Sequence, residues 1–366
     1  MNSRPLYKTI WMLAALSLAL TACQSKEQER IPTTSKPTAT DTAKPGGDGN
    51  NSKPAPVEGD TTPLVSKLTG RPQDQAQANT RPLAVMVNNA PAARPQSGLL
   101  EADIVYEVLA EGGITRLVAI YQSSLKETKV GPIRSIRPYL IDLGESYHGV
   151  LVHAGGSTDA YALIQTLHKE DLDEISNAGA YFWRDKSRKA PHNLYSNPQK
   201  LLAGAKKRGY ALIDDQVPAY TFYSDKNSAL PEGSAVAGIE IKFLLNNYKV
   251  SYRHNASTHM YARFINGQPH KDLDSGKQLT AMNIVVLGAN HKTLDNVGRL
   301  SVDMESGGKA LLFQRGKVIR GEWVHKKNDI IRFMKDGKEV PFYPGQTYFN
   351  IVPNTPSFES HVQMIP

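Results

Sequence analysis

Ile104-Val105-Tyr106-Glu107-Val108-Leu109-Ala110-Glu111-Gly112-Gly113-Ile114-Thr115-Arg116-Leu117-Val118-Ala119-Ile120-Tyr121 is the stretch on which the fold turns. Its two flanks are rich in branched and aromatic residues, the composition of strands. Glu111-Gly112-Gly113 joins them as the short glycine turn that a hairpin requires. Upstream, residues 83–87 read as a buried strand, followed by a turn over 91–97. Downstream, Pro138 stands where a helix takes its first residue, with Leu140, Ile141, Gly144 and Tyr147 spaced for one face. Residues 150–153 read as a strand that runs through Gly155-Gly156 into a helix over 157–167, capped by Ser157 or Thr158. A third helix is bracketed by Asn197-Pro198 at its start and by the basic end Lys206-Lys207-Arg208 before Gly209.

Beyond Ser224 the helical signals stop. Short strands are expected at 239–245, 249–254, 260–265, 284–287, 310–313, 318–323, 330–334 and 348–352, several joined by glycine turns. The expected fold class is therefore α+β, with a mixed α/β lobe over 80–222 and a mostly β lobe over 237–356. Tyr248, Tyr252, Tyr261, Phe264, Trp323, Phe342, Tyr343 and Tyr348 alternate with polar residues along these strands. Such a pattern belongs either to inner sheet faces or to a surface that stacks on sugars or a partner.

The chain opens with Arg4 and Lys8 and then an apolar run of about 12 residues, the order of a secretory signal and short of the roughly 20 needed to span a bilayer. The run ends in Leu20-Thr21-Ala22-Cys23, so the expectation is a lipoprotein signal peptide over 1–22, cleavage before Cys23, and lipidation of that residue. Cys23 is the single cysteine, which excludes disulfides in an exported chain. One acyl chain anchors only marginally; a diacylglyceryl group carrying chains such as palmitate anchors stably. From 23 to 79 the sequence is rich in Pro, Thr, Ser, Lys and Gln, a composition that cannot bury enough apolar surface to fold, and it reads as a disordered linker. The expected location is the extracytoplasmic face of the cell membrane.

Of the net charge of +8, the rest of the chain beyond residue 78 holds 34 basic against 28 acidic residues. A mild positive excess suits an anionic envelope polymer or lipid headgroups. It is weak support for nucleic acid, and export argues against such a partner. No His-Glu-x-x-His run occurs and the cysteine is committed to lipid, so neither a metal site nor a cofactor is expected.

The densest polar group is Gly131-Pro132-Ile133-Arg134-Ser135-Ile136-Arg137-Pro138, two arginines just before a helix start. Together with Arg116 and Arg188 they could hold a phosphate or carboxylate, or they could pair with Asp142, Glu107 or Glu111 to fix the helix. His153-Ala154-Gly155-Gly156-Ser157 at a strand-to-helix junction is a loose anion cradle or a tight capped turn, without the lysine of a P-loop or the third glycine of a dinucleotide fingerprint. His192, in Arg188-Lys189-Ala190-Pro191-His192-Asn193-Leu194-Tyr195, is a further ligand candidate or a general acid or base.

At these residues the chain resembles the YerB family of lipoproteins. The resemblance spans about 80 to 356 and rests on Arg94-Pro95-Gln96-Ser97-Gly98-Leu99, Ala102-Asp103-Ile104-Val105-Tyr106-Glu107, Glu111-Gly112-Gly113-Ile114-Thr115-Arg116, the Gly131 to Pro138 segment, His153 to Ser157 and Ala190 to Tyr195. Gly267-Gln268-Pro269-His270 and Gly276-Lys277-Gln278-Leu279-Thr280 extend it into the second region. It implies a lipid-anchored pair of α+β domains of unknown function, in a three-layer arrangement, and no assigned catalytic residue.

Two functions follow as expectations. The first is a non-catalytic binding or scaffolding lipoprotein whose candidate ligand residues are Arg116, Arg134, Ser135, Arg137, His153, Gly155, Gly156, Ser157, Arg188 and His192, and whose partner is an anionic envelope polymer or a membrane-associated protein. The second is a cell-wall-acting hydrolase or transferase using His153 and His192 with Asp103, Glu107 or Asp159.

Overall fold

A computed structural model of the chain describes residues 64–224 and 232–366. The signal segment, Cys23 and the linker as far as residue 63 lie outside the described residues. Asp60–Pro366 forms one compact unit.

The hairpin is present. β1 (Leu83–Asn88), β2 (Ile104–Leu109) and β3 (Thr115–Tyr121) are buried along their whole length, and β3 lies antiparallel between the other two. Burial on both faces is why these strands read as nearly unbroken apolar runs rather than as alternation. α1 (Pro138–Glu145) packs on β1 and β3. A Cβ on Gly144 would come within 2.9 Å of the Ala84 Cβ, so the helix needs glycine there to approach the sheet. β4 (Val150–His153) pairs parallel with β1, and β5 (Asp171–Asp173) pairs parallel with β4 through α2 (Thr158–Thr166). Ser157 caps α2, its Oγ accepting from the Ala160 amide at 3.3 Å, and Asn197 caps α3 (Pro198–Lys207), its Oδ1 accepting from the Lys200 amide at 2.8 Å.

The later strands are β6 (Gly238–Lys242), β7 (Lys249–His254), β8 (Tyr261–Ile265), β9 (Asn283–Ala289), β10 (Gly308–Gln314), β11 (Lys317–Val324), β12 (Arg332–Lys335), β13 (Thr347–Pro353) and β14 (Val362–Ile365). They divide between two sheets. β13 pairs parallel with both β2 and β9, so one twelve-stranded sheet runs through strands of both halves of the chain: Lys338–Glu339, β12, β11, β10, β9, β13, β2, β3, β1, β4, β5, with Ser234–Ala235 beside β11. The six-stranded sheet runs Gln268–Pro269, β8, β7, β6, β14, with Thr280–Ala281 beside β8. The expected lobes over 80–222 and 237–356 thus share a sheet, joined by parallel pairing from Ile104↔Thr347 to Val108↔Ile351. α1 lies on the Tyr106 face of this sheet, where Tyr106 and Tyr147 hydroxyls meet at 2.6 Å, and the small sheet lies on the Glu107 face. Helices, large sheet and small sheet make three layers.

The linker was expected to reach residue 79, but the described residues from 65 to 77 are folded. Leu68 is buried in the core, Val65 bridges Pro72, and Gln75–Gln77 forms a helical turn. Composition misses this because the segment closes on itself with polar residues: the Ser66 hydroxyl accepts from the amides of Leu68 and Thr69, each at 3.2 Å. The strand aromatics take the inner-face alternative: all eight but Phe264 are buried, and Phe264 is half-buried beside Arg253.

Between the sheets lies a closed polar network. Arg263 on β8 places Nη2 at 2.6 Å from Glu107 Oε2 on β2, with both side chains out of contact with water. Glu107 Oε1 also accepts from Tyr248 at 2.5 Å, Thr115 at 2.7 Å and Asn89 at 3.1 Å. Arg263 donates from Nη1 to the Tyr252 hydroxyl, which donates to Asn350 on β13, and from Nε to His270 Nδ1 at 3.0 Å. His270 therefore carries its proton on Nε2, which donates to Gln96 Oε1 at 2.7 Å. Burial, and then the charges of Arg263 and Arg94, hold the His270 imidazole well below its ordinary titration range.

Two outcomes are expected in denaturant titrations. Arg263→Met strands a buried carboxylate and costs about 3–5 kcal/mol, whereas Glu107→Gln/Arg263→Met, which keeps an acceptor but removes the charge, loses less than the single variant. Because His270 is neutral in the fold and protonates near pH 6.5 when unfolded, the unfolded state binds the extra proton. Its contribution is complete above that pH and is lost as the pH falls below it. Urea midpoints measured from pH 7.5 to 5 should therefore fall more steeply in the parent than in His270→Gln; equal slopes would refute the assignment.

Candidate functional site

The segment from Gly131 to Arg137 crosses the C-terminal ends of the parallel strands β1 and β4. It is stitched there through the backbone: Asn88 N to Pro132 O at 2.8 Å, Arg134 N to Met86 O at 2.8 Å, Ala154 N to Arg134 O at 3.2 Å and Ile136 N to Gly155 O at 2.9 Å. Gly131 sits at φ +145°, and a Cβ there would lie 2.7 Å from the Leu194 carbonyl, so only glycine lets the segment pass. Ends of parallel strands are where open α/β sheets place ligands.

This crossing gathers the expected arginines. Arg116, at the start of β3 and opposite Asn88 on β1, is buried, and its Nη1 donates to the Ser135 carbonyl at 2.6 Å. Its buried Nε has no hydrogen-bond partner. Arg137 pairs with Glu111 and donates to its neighbour's carbonyl, Ile136 O, at 2.6 Å. Arg134 is half-buried and, among the described residues, makes no side-chain hydrogen bond and has no carboxylate within ion-pair distance. Arg188 donates to the carbonyls of Ala93 and Pro95 at 2.8 and 2.7 Å, pinning the loop that follows β1. His192 Nδ1 accepts from the Asn88 carboxamide at 3.0 Å, which places its proton on Nε2.

The electrostatics are those of crowded cations. Burial and then the charge of Arg137 pull Arg116 down to about 10, with Glu111 acting in the opposite sense. Arg134 is lowered by burial, then Arg137, with Arg184 adding to the effect. His192 is lowered by burial, then by Arg134 and Arg188. Burial alone would raise the Glu111 carboxyl, but the hydrogen bond and charge of Arg137 win and hold it below its usual range. Guanidiniums crowded in this way repel one another, and any anion placed among them relieves that repulsion.

The structure separates the other candidates from this group. His153 is wholly buried; its Nδ1 donates to Gly155 O at 3.0 Å, and its Nε2 lies 3.2 Å from Asp171 without hydrogen-bond alignment. Gly155, at φ +74°, spends its amide on Asp173 at 2.8 Å, and a Cβ on Gly156 would stand 3.1 Å from Ile136 Cγ2. Ser157 is the helix cap. His153, Gly155, Gly156 and Ser157 therefore build the capped turn rather than an open cradle, and Ser135 contributes its carbonyl to Arg116. The acid–base candidates are held apart in different settings: Glu107 is locked to Arg263, Asp103, bound by Ser123 and Gln122, lies at the far end of β2 from Arg116, and Asp159 is exposed in the first turn of α2. Among the described residues no group of three His, Cys, Asp or Glu is placed to hold a metal, and no helix is long and apolar enough to cross a membrane.

Sequence reasoning missed Asn88, which orients His192, and Arg184, which pairs with Glu174 at 3.1 Å while adding to the positive field on Arg134. The Asn88-Asn89 doublet at the end of an apolar strand was the available signal.

Comparison with known proteins agrees along the chain. Residues 68–211 match the N-terminal domain, and residues 239–349 the C-terminal domain, of a protein family of unknown function, DUF3048. The chain is 39% identical over 293 residues to "Putative lipoprotein YerB" of Bacillus subtilis (strain 168), covering 80% of this chain and 87% of that protein. The crystal structure of the YerB protein from Bacillus subtilis superposes with a TM-score of 0.75 at 36% identity, over 83% of this chain and all of that one.

Because the charge of Arg134 lowers the His192 imidazole, Arg134→Ala should raise the His192 titration midpoint followed by NMR. An unchanged midpoint would place the two apart.

Proposed function

Because the chain belongs to the YerB family, we propose that it is a lipid-anchored binding protein on the extracytoplasmic face of the cell membrane, held through Cys23, which captures an anionic envelope component among Arg116, Arg134, Arg137 and His192. The signal pattern ahead of Cys23 and the lipoprotein description of its relative support the anchor. The binding role is carried by one observation: a buried guanidinium with an unpartnered Nε, Arg116, beside an arginine, Arg134, that among the described residues has no carboxylate within ion-pair distance.

A buried cation without a full set of acceptors is costly unless something satisfies it. A phosphate or carboxylate oxygen does so, and planar guanidiniums on neighbouring positions match either group in a bidentate way. Glu111 forms its ion pair with Arg137; its charge also acts on Arg116 and Arg134 but it pairs with neither, so the helix-fixing alternative accounts for the contacts of one arginine. The hydrolase or transferase alternative has little geometric support, because His153 is sealed in the core and cannot reach a substrate alongside His192.

The test is binding of the full chain to two defined anionic polymers, poly(glycerol phosphate) and polyglutamate, at rising salt. The parent should bind at least one, more weakly as salt screens the charges. The folded Arg134→Ala/Arg137→Ala variant should lose about tenfold or more, the equivalent of one charge-assisted hydrogen bond. Equal affinity of parent and variant for every polymer would remove the cradle.

A further inference from the structure

Thr115 and Arg116 are adjacent on β3 and point to opposite faces of the large sheet. Arg116 faces the cradle; Thr115 faces the small sheet, bonded to Glu107. On that second side, at the same end of the sheet, opens a cavity of about 390 Å³. Pro91, Ile114 and Leu245 supply its apolar wall, Tyr248 also lines it, and the polar lining includes Arg94, Asn266 and the exposed Asn247. A volume of that size falls in the lower part of the range for small-molecule sites, roughly 300–1,000 Å³, and a mostly apolar wall with a few polar groups is their usual make-up.

Arg94 is the feature that asks for a ligand. Its Nε donates to Asn89 O at 3.1 Å, and its guanidinium carbon lies 4.8 Å from the centre of the Tyr248 ring. These two contacts hold the group in place. Among the described residues neither Nη makes a hydrogen bond and no carboxylate is paired with it; Glu107, beneath Tyr248, is already matched by Arg263. The Asn247 carboxamide is likewise without a partner there, its backbone carbonyl alone being used by Asn266 at 2.8 Å. A fixed guanidinium with two parallel N–H groups, set against apolar walls, fits a carboxylate, whose two oxygens match it in a bidentate way and whose one negative charge balances its one positive charge.

We infer that this cavity is a second binding site, for a small carboxylate carried on an apolar body. The carboxylate sits on the Arg94 Nη groups with the Asn247 amide donating to it. The apolar body lies against Pro91, Ile114 and Leu245. The wall depends on the hairpin turn: a Cβ on Gly113 would stand 3.0 Å from Leu245 Cδ2, so the turn leaves Leu245 just enough room where it is.

The inference is tested by calorimetric titration of the compact unit, residues 60–366, with octanoate, phenylpropanoate and the neutral octanol. At least one carboxylate should bind with Kd below about 1 mM, a free energy of roughly 4 kcal/mol, and octanol should bind at least about tenfold more weakly. The two carboxylates decide between an aliphatic and an aromatic body. Arg94→Gln should cost about tenfold or more, Leu245→Trp, which fills the cavity from a partly exposed position, should abolish binding, and Arg134→Ala/Arg137→Ala should leave it unchanged. The site is refuted if neither carboxylate binds the parent in this range, if octanol binds as well as they do, or if Arg94→Gln equals the parent.

Discussion

Glu107 and Arg263 meet 2.6 Å apart between two sheets, where neither can reach water. A pair in that position is a poor source of stability by itself, since removing both charges from water costs about as much as their attraction returns. What it imposes is geometry. Arg263 is oriented by the Tyr252 hydroxyl, His270 and Glu107 at once, and Glu107 by Tyr248, Thr115 and Asn89. No donor in this set can be displaced without leaving a buried group unpaired, so the small sheet docks on the large one in a single register. Burial would drive the Arg263 proton off, yet the Tyr252 hydroxyl and the Glu107 carboxylate outweigh it and keep the guanidinium charged.

The same network reaches both candidate sites. Asn89 and Thr115 lie on the network side of β1 and β3, while their chain neighbours Asn88 and Arg116 lie on the cradle side, paired with each other across the two strands. Locking one face of these strand ends therefore fixes the other. The loop after β1 is held from both directions, Arg188 binding its carbonyls from the cradle side and Arg94 binding Asn89 O from the cavity side. Rigid support of this kind limits the ordering cost when a ligand arrives. It also keeps Arg116 and Arg137 in place, the first by the Ser135 carbonyl and the second by Glu111 and the Ile136 carbonyl.

The local readings held where a residue's neighbours in sequence are also its neighbours in space. The hairpin across Glu111-Gly112-Gly113, the proline-started helices and the Ser157 and Asn197 caps are set by turns and by side chains bonding three residues away. The grouping of Arg134 and Arg137 was legible for the same reason, as two arginines three apart before a helix. His153 and Gly155 looked like a cradle because the sequence does not show Asp171 and Asp173, which arrive on the next parallel strand and absorb them. The fold of residues 65–77 was missed because, of Leu64, Val65 and Leu68, only Leu68 is buried, and one buried residue in a polar stretch gives no periodic signal.

The sequence alone determined a lipoprotein with an α+β body, an arginine-rich segment ahead of its first helix and a single cysteine, so no disulfide within the chain. Those features depend on composition and on short spacings, which are present before any folding. The tertiary structure decided which arginines meet, which histidine is sealed in the core, and that strands more than 200 residues apart, Ile104–Leu109 and Thr347–Pro353, lie side by side in one sheet. Parallel pairing over such a distance leaves no local trace, because each strand carries only its own apolar run. The partner is chosen by the buried Glu107, Arg263 and Asn350 contacts that form when the layers close.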